Sequence, residues 1–419
     1  MRRLATFPGG LAAIALGALA VRLAYVAVRR GAVVQGDALT FVLTAANLAA
    51  GEGFRRPYED APTAEHPPLH VVLLAAIQLA GLDSHTGQRV VLALLGTATV
   101  VVLGLVGRRV AGPRAGLLAA GIAALYPNLW VIDAALMSET PYLLLVALVL
   151  LAALAARDTP APATFAMLGA AIGLAALTRG EALGLLPALA APLAWAAGGP
   201  LRRRLGLAAA AAAAFGLVLA PWTARNLATF EEPVLISNNA SGLWAGANCP
   251  RTYRGELVGS WVFSCYPTGV EERDESLEFA AYRRAGLDYL REHAGRLPVV
   301  LLARLGRGLD VWRVDQSVYF NATEGRSERA TRLGIVAWWV LQPLALAGLV
   351  VLRRRRGPAW VLAAPMVLAV AVILVVYGST RLRVVAEPAV VVAAAVAVDA
   401  VLRLRGRLRR PAPRASPPA

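Results

Sequence analysis

The chain has 419 residues, 58% of them hydrophobic, with a mean hydropathy of +0.59. An ordinary soluble domain carries about 45–50% apolar residues with glycine included, so this composition excludes a soluble globular fold and indicates an integral membrane protein. All 42 basic residues are arginine against 26 acidic ones, a net charge of +16, and they cluster in short loops between apolar runs; membrane topology explains that placement, and a nucleic-acid-binding surface does not.

The N-terminus, MRRLATFPGGLAAIALGALAVRLAYV, joins a basic start to an apolar run nearly long enough to span. Arg22 and Tyr25 stand where a signal peptide has small residues for cleavage, so the segment reads as an uncleaved first helix. At about 20 residues per crossing, spans fall near 10–28, 88–107, 115–131, 140–156, 162–178, 181–197, 205–221, 331–352, 358–377 and 385–403. A further apolar run, 67–81, is too short and opens on Pro67 and Pro68. Read as a re-entrant or juxtamembrane helix on the outer face, it leaves every short arginine cluster inside: Arg2 and Arg3, the RRVAGPR run from Arg108, Arg157, Arg202 to Arg204, Arg353 to Arg356 and the tail after Arg403. Both termini are then cytoplasmic, and every acidic residue except Asp158 and Asp399 lies outside or at an outer helix end. The expected fold is an all-α polytopic membrane protein of about ten transmembrane helices.

This divides the chain into an N-terminal membrane module (1–221) with a first outer loop at 29–66, an extracytoplasmic region (222–330), C-terminal transmembrane helices (331–403) and a basic, proline-rich tail (404–419) expected to be disordered. The outer region holds Trp244, Trp261 and an acidic stretch, EERDE, from Glu271. From Leu290 the apolar positions Leu290, Ala294, Leu297, Leu301, Leu305 and Trp312 recur at helical spacing with Arg291, Arg304 and Arg307 off the stripe. That pattern predicts an amphipathic helix on the outer leaflet, kinked or split by Pro298. Cys249 and Cys265 enclose fifteen residues of this region; they support no zinc site and permit one disulfide in an oxidising compartment.

The candidate functional residues lie where polar chemistry interrupts apolar runs. Asp37 precedes a helical apolar pattern at the lip of the membrane, where a carboxylate is costly to desolvate; it reads as a catalytic base or as a helix N-cap. Glu65 and His66 stand just before Pro67, where Glu65 is placed to orient the first carboxylate, hold a hydroxyl or bind a divalent metal, or is a solvated loop acid. With four histidines and no HExxH motif, a metal site rests on carboxylates alone. Glu139 opens a span at the outer face. Arg179 and Glu181 sit between two apolar runs joined by almost no loop, as an ion pair or as a phosphate grip suited to the guanidinium fork. Arg225, Arg381 and Arg383 recur at outer helix ends, against the positive-inside bias, either binding an anionic headgroup or snorkelling.

The order of GDALTFVLTAANLAAGEGF, a loop ending AEHPPL, then GLAALTRGEALG, APWTARN and YGSTRLRVVAEP resembles the polytopic lipid-linked-sugar glycosyltransferases of the GT-C fold, which include protein O-mannosyltransferases and the aminoarabinose transferases that modify lipid A. GLWAGANCPRTYRGELVGSWVFSC is similar to the outer loop of actinobacterial members. The resemblance implies a polyprenyl-phosphate-linked sugar donor, an envelope glycan, lipid or protein acceptor, and inverting transfer at the plasma membrane outside the cytoplasm. Asp37 matches the family's first-loop catalytic Asp, Glu65 the acid before the re-entry proline, and Glu139 falls near an acidic position at the start of a later helix. Ala38 follows Asp37 where many relatives have a second acid, and His66 stands where the aminoarabinose enzymes have a lysine. The rival reading is a lipid or solute transporter, for which repeats and discontinuous helices near the midplane are expected in place of acids gathered on one face.

Overall fold

The structure, a computed structural model, describes residues 6–270 and 273–408. Arg2 and Arg3, the first two residues of the acidic stretch from Glu271, and the tail at 409–419 lie outside the described residues. Among the described residues the chain is helical, with no strand beyond an isolated bridge between Arg55 and Pro62. The first half runs α1 (Phe7–Val28), α2 (Asp37–Ala49), α3 (Pro68–Leu79), α4 (His85–Ala111), α5 (Pro113–Leu125), α6 (Pro127–Trp130), α7 (Glu139–Asp158), α8 (Pro162–Ala176), α9 (Ala191–Ala196) and α10 (Leu201–Thr229). The second half runs α11 (Asn239–Ala247), α12 (Pro250–Tyr253), α13 (Glu275–Glu292), α14 (Leu297–Gly308), α15 (Val314–Thr323), α16 (Glu328–Arg354), α17 (Ala359–Val375) and α18 (Glu387–Leu408).

Each predicted span coincides with helix, but among the described residues fewer than ten helices meet the length and composition of a full crossing. Among the described residues five helices, α1, α4, α7, α10 and α16, are long and apolar enough to cross a membrane; α5 with Pro127–Ala134 makes a sixth if their 69° bend lies within one span. Proline accounts for much of the difference, since Pro127 lacks the N–H that would continue α5. In Gly180–Ala196, Pro187 sits where the helix passes from a 3₁₀ turn through a π turn into α9. The 67–81 run is α3, a helix of 12 residues that packs on α2. The last helix continues to Leu408, past the expected start of the tail.

Small residues set the packing, because helices in lipid gain from close backbone approach. α18 is central: Ala389 to Val396 are at most 1% exposed, enclosed by α16, α5, α17, α4 and α7. A Cβ at Gly348 of α16 would strike the Ala393 carbonyl of α18, and one at Gly169 of α8 would strike that of Ala211 on α10. The two ends of the bundle differ. At one end, arginines near the helix ends tie neighbouring segments together: Arg109 to Asp158 (2.8 Å), Arg203 to the Pro160 carbonyl (3.3 Å) and Arg403 to the Ala111 carbonyl (3.3 Å). At the other, where α4, α7, α16 and α18 begin, the first loop and the 222–330 region gather.

The helix expected to continue from Leu290 is two helices. α13 ends at Glu292, a 3₁₀ turn covers Ala294–Arg296, and Pro298 is the second residue of α14, where its missing N–H is no loss. The buried face of α14 is Val300, Ala303, Arg304, Arg307 and Gly308, while Leu302 is 71% exposed. Thus Arg304 and Arg307, expected on the polar face, point inward. The reason is unsatisfied carbonyls: Arg304 donates to Leu374 (2.9 Å) and Val375 (3.1 Å) at the open end of α17 and to Ala247 (3.1 Å), and Arg307 to Val258 (2.8 Å) and Glu256 (2.6 Å). Cys249 and Cys265 are joined as a disulfide.

Candidate active site

α2 begins at Asp37 because Gly36 takes the left-handed φ of 61°, and a Cβ there would lie 2.6 Å from Glu324 Oε2. Asp37 is therefore the first helical residue, and Gly36 stands at the N-cap. The Asp37 carboxylate accepts a hydrogen bond from Arg381 Nη2 (2.8 Å), and its backbone N–H donates to Glu324 Oε2 (3.4 Å). Arg381, in the 3₁₀ turn Thr380–Arg383, spreads its remaining nitrogens over Glu139 (Nε to Oε1, 2.8 Å) and Glu324 (Nη1 to Oε1, 3.1 Å). Glu139, fully buried at the start of α7, also receives Arg179 (3.3 Å) and Arg326 (3.4 Å). Arg179 is held in turn by Glu181 (2.6 Å). A buried carboxylate with three guanidinium partners is compensated for its lost water, and it fixes those guanidiniums relative to Asp37.

These groups meet at a cavity of about 850 Å³ lined by Asp37, Glu65, His66, Arg179, Glu181, Glu324, Tyr377 and Arg381 among others. Glu139 lies behind this lining. Burial penalises the Asp37 carboxylate, but Arg381, with help from His66, outweighs it and lowers the carboxyl below its ordinary 3.8; the side chain stays 33% exposed to the cavity. Burial, with Glu275 and Asp37 nearby, outweighs the pull of His66 (3.7 Å) and Arg56 on Glu65 and holds its carboxyl above the ordinary 4.5. Glu324 is raised as well, by burial and by its acidic neighbours Asp37 and Glu139 against the pull of Arg381. The cavity thus sets one firmly anionic carboxylate beside two that take up protons more readily.

The loop carrying Glu65 and His66 is pinned by Glu275, which also lines the cavity, and by Arg225, which does not. Glu275 accepts from Thr63 Oγ1 (2.6 Å), the Ala64 N–H (2.8 Å) and Asn238 Nδ2 (2.7 Å). Arg225 donates to the carbonyls of Thr63 (3.0 Å) and Phe54 (3.2 Å). Arg225, expected to meet a headgroup, is therefore a brace for the first loop and does not line the cavity. Arg383 is also displaced from its expected role: it is buried between Asp310 (2.5 Å) and Glu387 (3.1 Å), with its guanidinium over the Trp338 ring. Two residues along a 3₁₀ turn place neighbouring arginines on different sides. Glu324 and Arg326 were not singled out in the sequence, since both lie in a mixed polar stretch without an apolar run to set them off, and Tyr377 was not because it closes the apolar run of the predicted span 358–377. Among the described residues no group of three or more His, Cys, Asp or Glu side chains is arranged to hold a metal ion.

Residues 65–224 match the family described as dolichyl-phosphate-mannose-protein mannosyltransferase. Among solved structures, the Archaeoglobus fulgidus oligosaccharyltransferase in its apo form is 16% identical and superposes with a TM-score of 0.59, over 96% of this chain and 51% of its own. The chain has the GT-C fold. A second structure of the archaeal oligosaccharyltransferase, AglB in complex with an inhibitory peptide and a dolichol-phosphate, matches this GT-C chain at 14% identity and TM-score 0.55, over 94% of this chain and 51% of AglB. ArnT from Cupriavidus metallidurans bound to undecaprenyl phosphate is 20% identical over 93% of this chain and 77% of its own, with a TM-score of 0.42. The chain spans about half the length of the oligosaccharyltransferase. Among curated protein sequences none matches it. Within this GT-C bundle, Asp37, Glu65, His66, Arg179, Glu181 and Arg381 come together at one cavity, and Arg225 and Arg383 support its surroundings.

Proposed function

We propose that this multi-pass membrane protein is a glycosyltransferase that moves a sugar from a polyprenyl-phosphate carrier to a hydroxyl of a cell-envelope acceptor, on the extracytoplasmic face and with inversion. The observation that carries the reading is Asp37, an anionic carboxylate open to the cavity and held 2.8 Å from the Arg381 guanidinium, with Arg179 in the same lining. A base and a phosphate grip side by side are what this transfer needs. The acceptor oxygen bonds to the anomeric carbon as the bond from that carbon to the carrier phosphate breaks; Asp37 takes the hydroxyl proton, and Arg381 and Arg179 neutralise the departing phosphate. The phosphate leaves as a stable anion, so no strong general acid is required, and attack opposite the leaving group inverts the centre. The raised carboxyl of Glu65 is suited to hold a hydroxyl of the acceptor.

Aliphatic side chains at the end of α17, Val372 and Val375, and Val376 just beyond it line the cavity beside Arg381, and Val375 is 56% exposed, an apolar flank fit for the carrier's prenyl chain. Arginine-rich connections at the opposite end of the bundle favour a cytoplasmic placement there, which puts the cavity outside. The dolichol-phosphate described with AglB accords with a lipid-linked donor. Purified protein in vesicles with a polyprenyl-phosphate-linked radiolabelled sugar tests the reading: label should leave the carrier and appear on an acceptor. Label that crosses the bilayer with the carrier bond intact would make the protein a transporter.

A further inference from the structure

Resting on that reading of the cavity, we propose that the acceptor is a neutral saccharide, held by stacking on an aromatic strip that runs outward from the catalytic cluster. Tyr377 lies beside Arg381 in the cavity lining, and from it the rings continue without a gap: Trp261 at 6.3 Å, Tyr266 at 6.0 Å from Trp261, and Tyr282 at 4.6 Å from Tyr266. All four side chains line the same cavity as Asp37. Its volume of about 850 Å³ lies toward the upper end of the usual range for ligand sites, about 300–1,000 Å³, so it has room for a donor sugar and an acceptor ring together.

The strip is a built surface. The disulfide between Cys249 and Cys265 closes the loop that carries Trp261, and Tyr266 follows it directly. The Val262 N–H donates to the Gly246 carbonyl (3.0 Å), and the absence of a side chain at Gly246 lets the Trp261 indole lie against α11. Hydrogen-bonding groups flank the rings: Glu65 and Asn239 share the lining, and Glu278 accepts from the Tyr282 hydroxyl (2.6 Å).

A sugar ring fits this combination because it has two chemistries. Its C–H face carries a partial positive charge that meets the negative face of an aromatic ring, and its hydroxyls project at the edge, where carboxylates and amides accept them. A peptide taken up by strand addition would need a free sheet edge, and no strand occurs among the described residues. The carboxylates beside the rings also disfavour an anionic acceptor.

The test needs no donor. The full chain in nanodiscs is titrated with a panel of neutral di- and trisaccharides of hexoses and pentoses, and separately with a Ser/Thr-rich peptide, using saturation-transfer NMR and tryptophan fluorescence. The expected result is saccharide binding with contacts to ring C–H protons, weakened about tenfold in Trp261→Ala and in Tyr282→Ala, the loss of one stacking contact, and retained in Trp261→Phe. Peptide binding without saccharide binding, no binding by any saccharide of the panel, or unchanged affinity in both alanine variants would overturn the proposal. Cleavage of the carrier bond is measured independently, so failure here is distinct from failure of the transfer reading.

Discussion

Arg381 and Arg383 stand two residues apart in one 3₁₀ turn, and each pairs with more than one carboxylate, yet their surroundings differ. Arg381 is 13% exposed and meets Asp37, Glu139 and Glu324 at the cavity. Arg383 is 2% exposed, lies over Trp338 and meets Asp310 and Glu387 within the bundle. The same ion-pair chemistry therefore does two jobs. Where nothing from outside can reach the guanidinium, the network joins α16, α18 and the end of α14; where a ligand can reach it, the carboxylates hold the cation in place for an incoming anion.

Substitution at the sealed network should have the largest effect on folding. Arg383→Ala leaves Asp310 and Glu387 buried without their cation, a loss of about 3–5 kcal/mol, and a thermal melt in detergent should show it; an unchanged melting temperature would erase the contrast between the two arginines. Arg381→Gln should act on chemistry instead, lowering transfer about 10²–10³-fold, the cost of removing one donor from a developing charge, with a smaller shift in melting temperature than Arg383→Ala because Arg179 and Arg326 still hold Glu139. If Arg381→Gln instead unfolds the protein and keeps the activity of whatever stays folded, Arg381 is structural too.

Arg225→Ala sharpens the distinction between lining and brace. It removes two bonds to loop carbonyls, about 1–3 kcal/mol, and hydrogen exchange should rise over residues 54–66 while affinity for polyprenyl phosphate holds. Lost phosphate affinity with an unchanged loop would return Arg225 to the ligand set.

The smallest effect expected is one of pH. Glu65 and Glu324, raised above 4.5, bind protons more tightly in the folded chain than in the unfolded one, so they add stability as pH falls toward their folded titration. Asp37 acts in the opposite sense: its contribution is complete above 3.8 and is lost only as pH falls through its lower folded value. Glu324→Gln should therefore flatten part of the pH dependence of the melting temperature on the side above the ordinary carboxyl value of 4.5. A dependence identical to the parent would place the proton uptake elsewhere.

Much of this was legible in the sequence, for a physical reason. Charged residues such as Asp37, Arg179, Glu181 and Arg381 interrupt long apolar runs, and in a membrane protein such interruptions are costly enough to stand out. The same contrast located the helices. What it lacks is direction: Arg225 and Arg383 carry the signature of Arg381, and only tertiary packing decides which of them turns to the cavity. Arg304 and Arg307 were misplaced because a guanidinium satisfies open carbonyls as readily as it faces water. Glu324 and Arg326 lie in NATEGRSE, where every neighbour is polar or small and no contrast marks them.

Asp37→Asn keeps the size and helical position of the side chain while removing the proton acceptor. Measured with a labelled polyprenyl-phosphate sugar, its transfer rate should fall by about 10²–10⁴-fold, with expression, melting temperature and affinity for the carrier phosphate close to those of the parent. Transfer at the parental rate in that variant would contradict the assignment of Asp37 as the base.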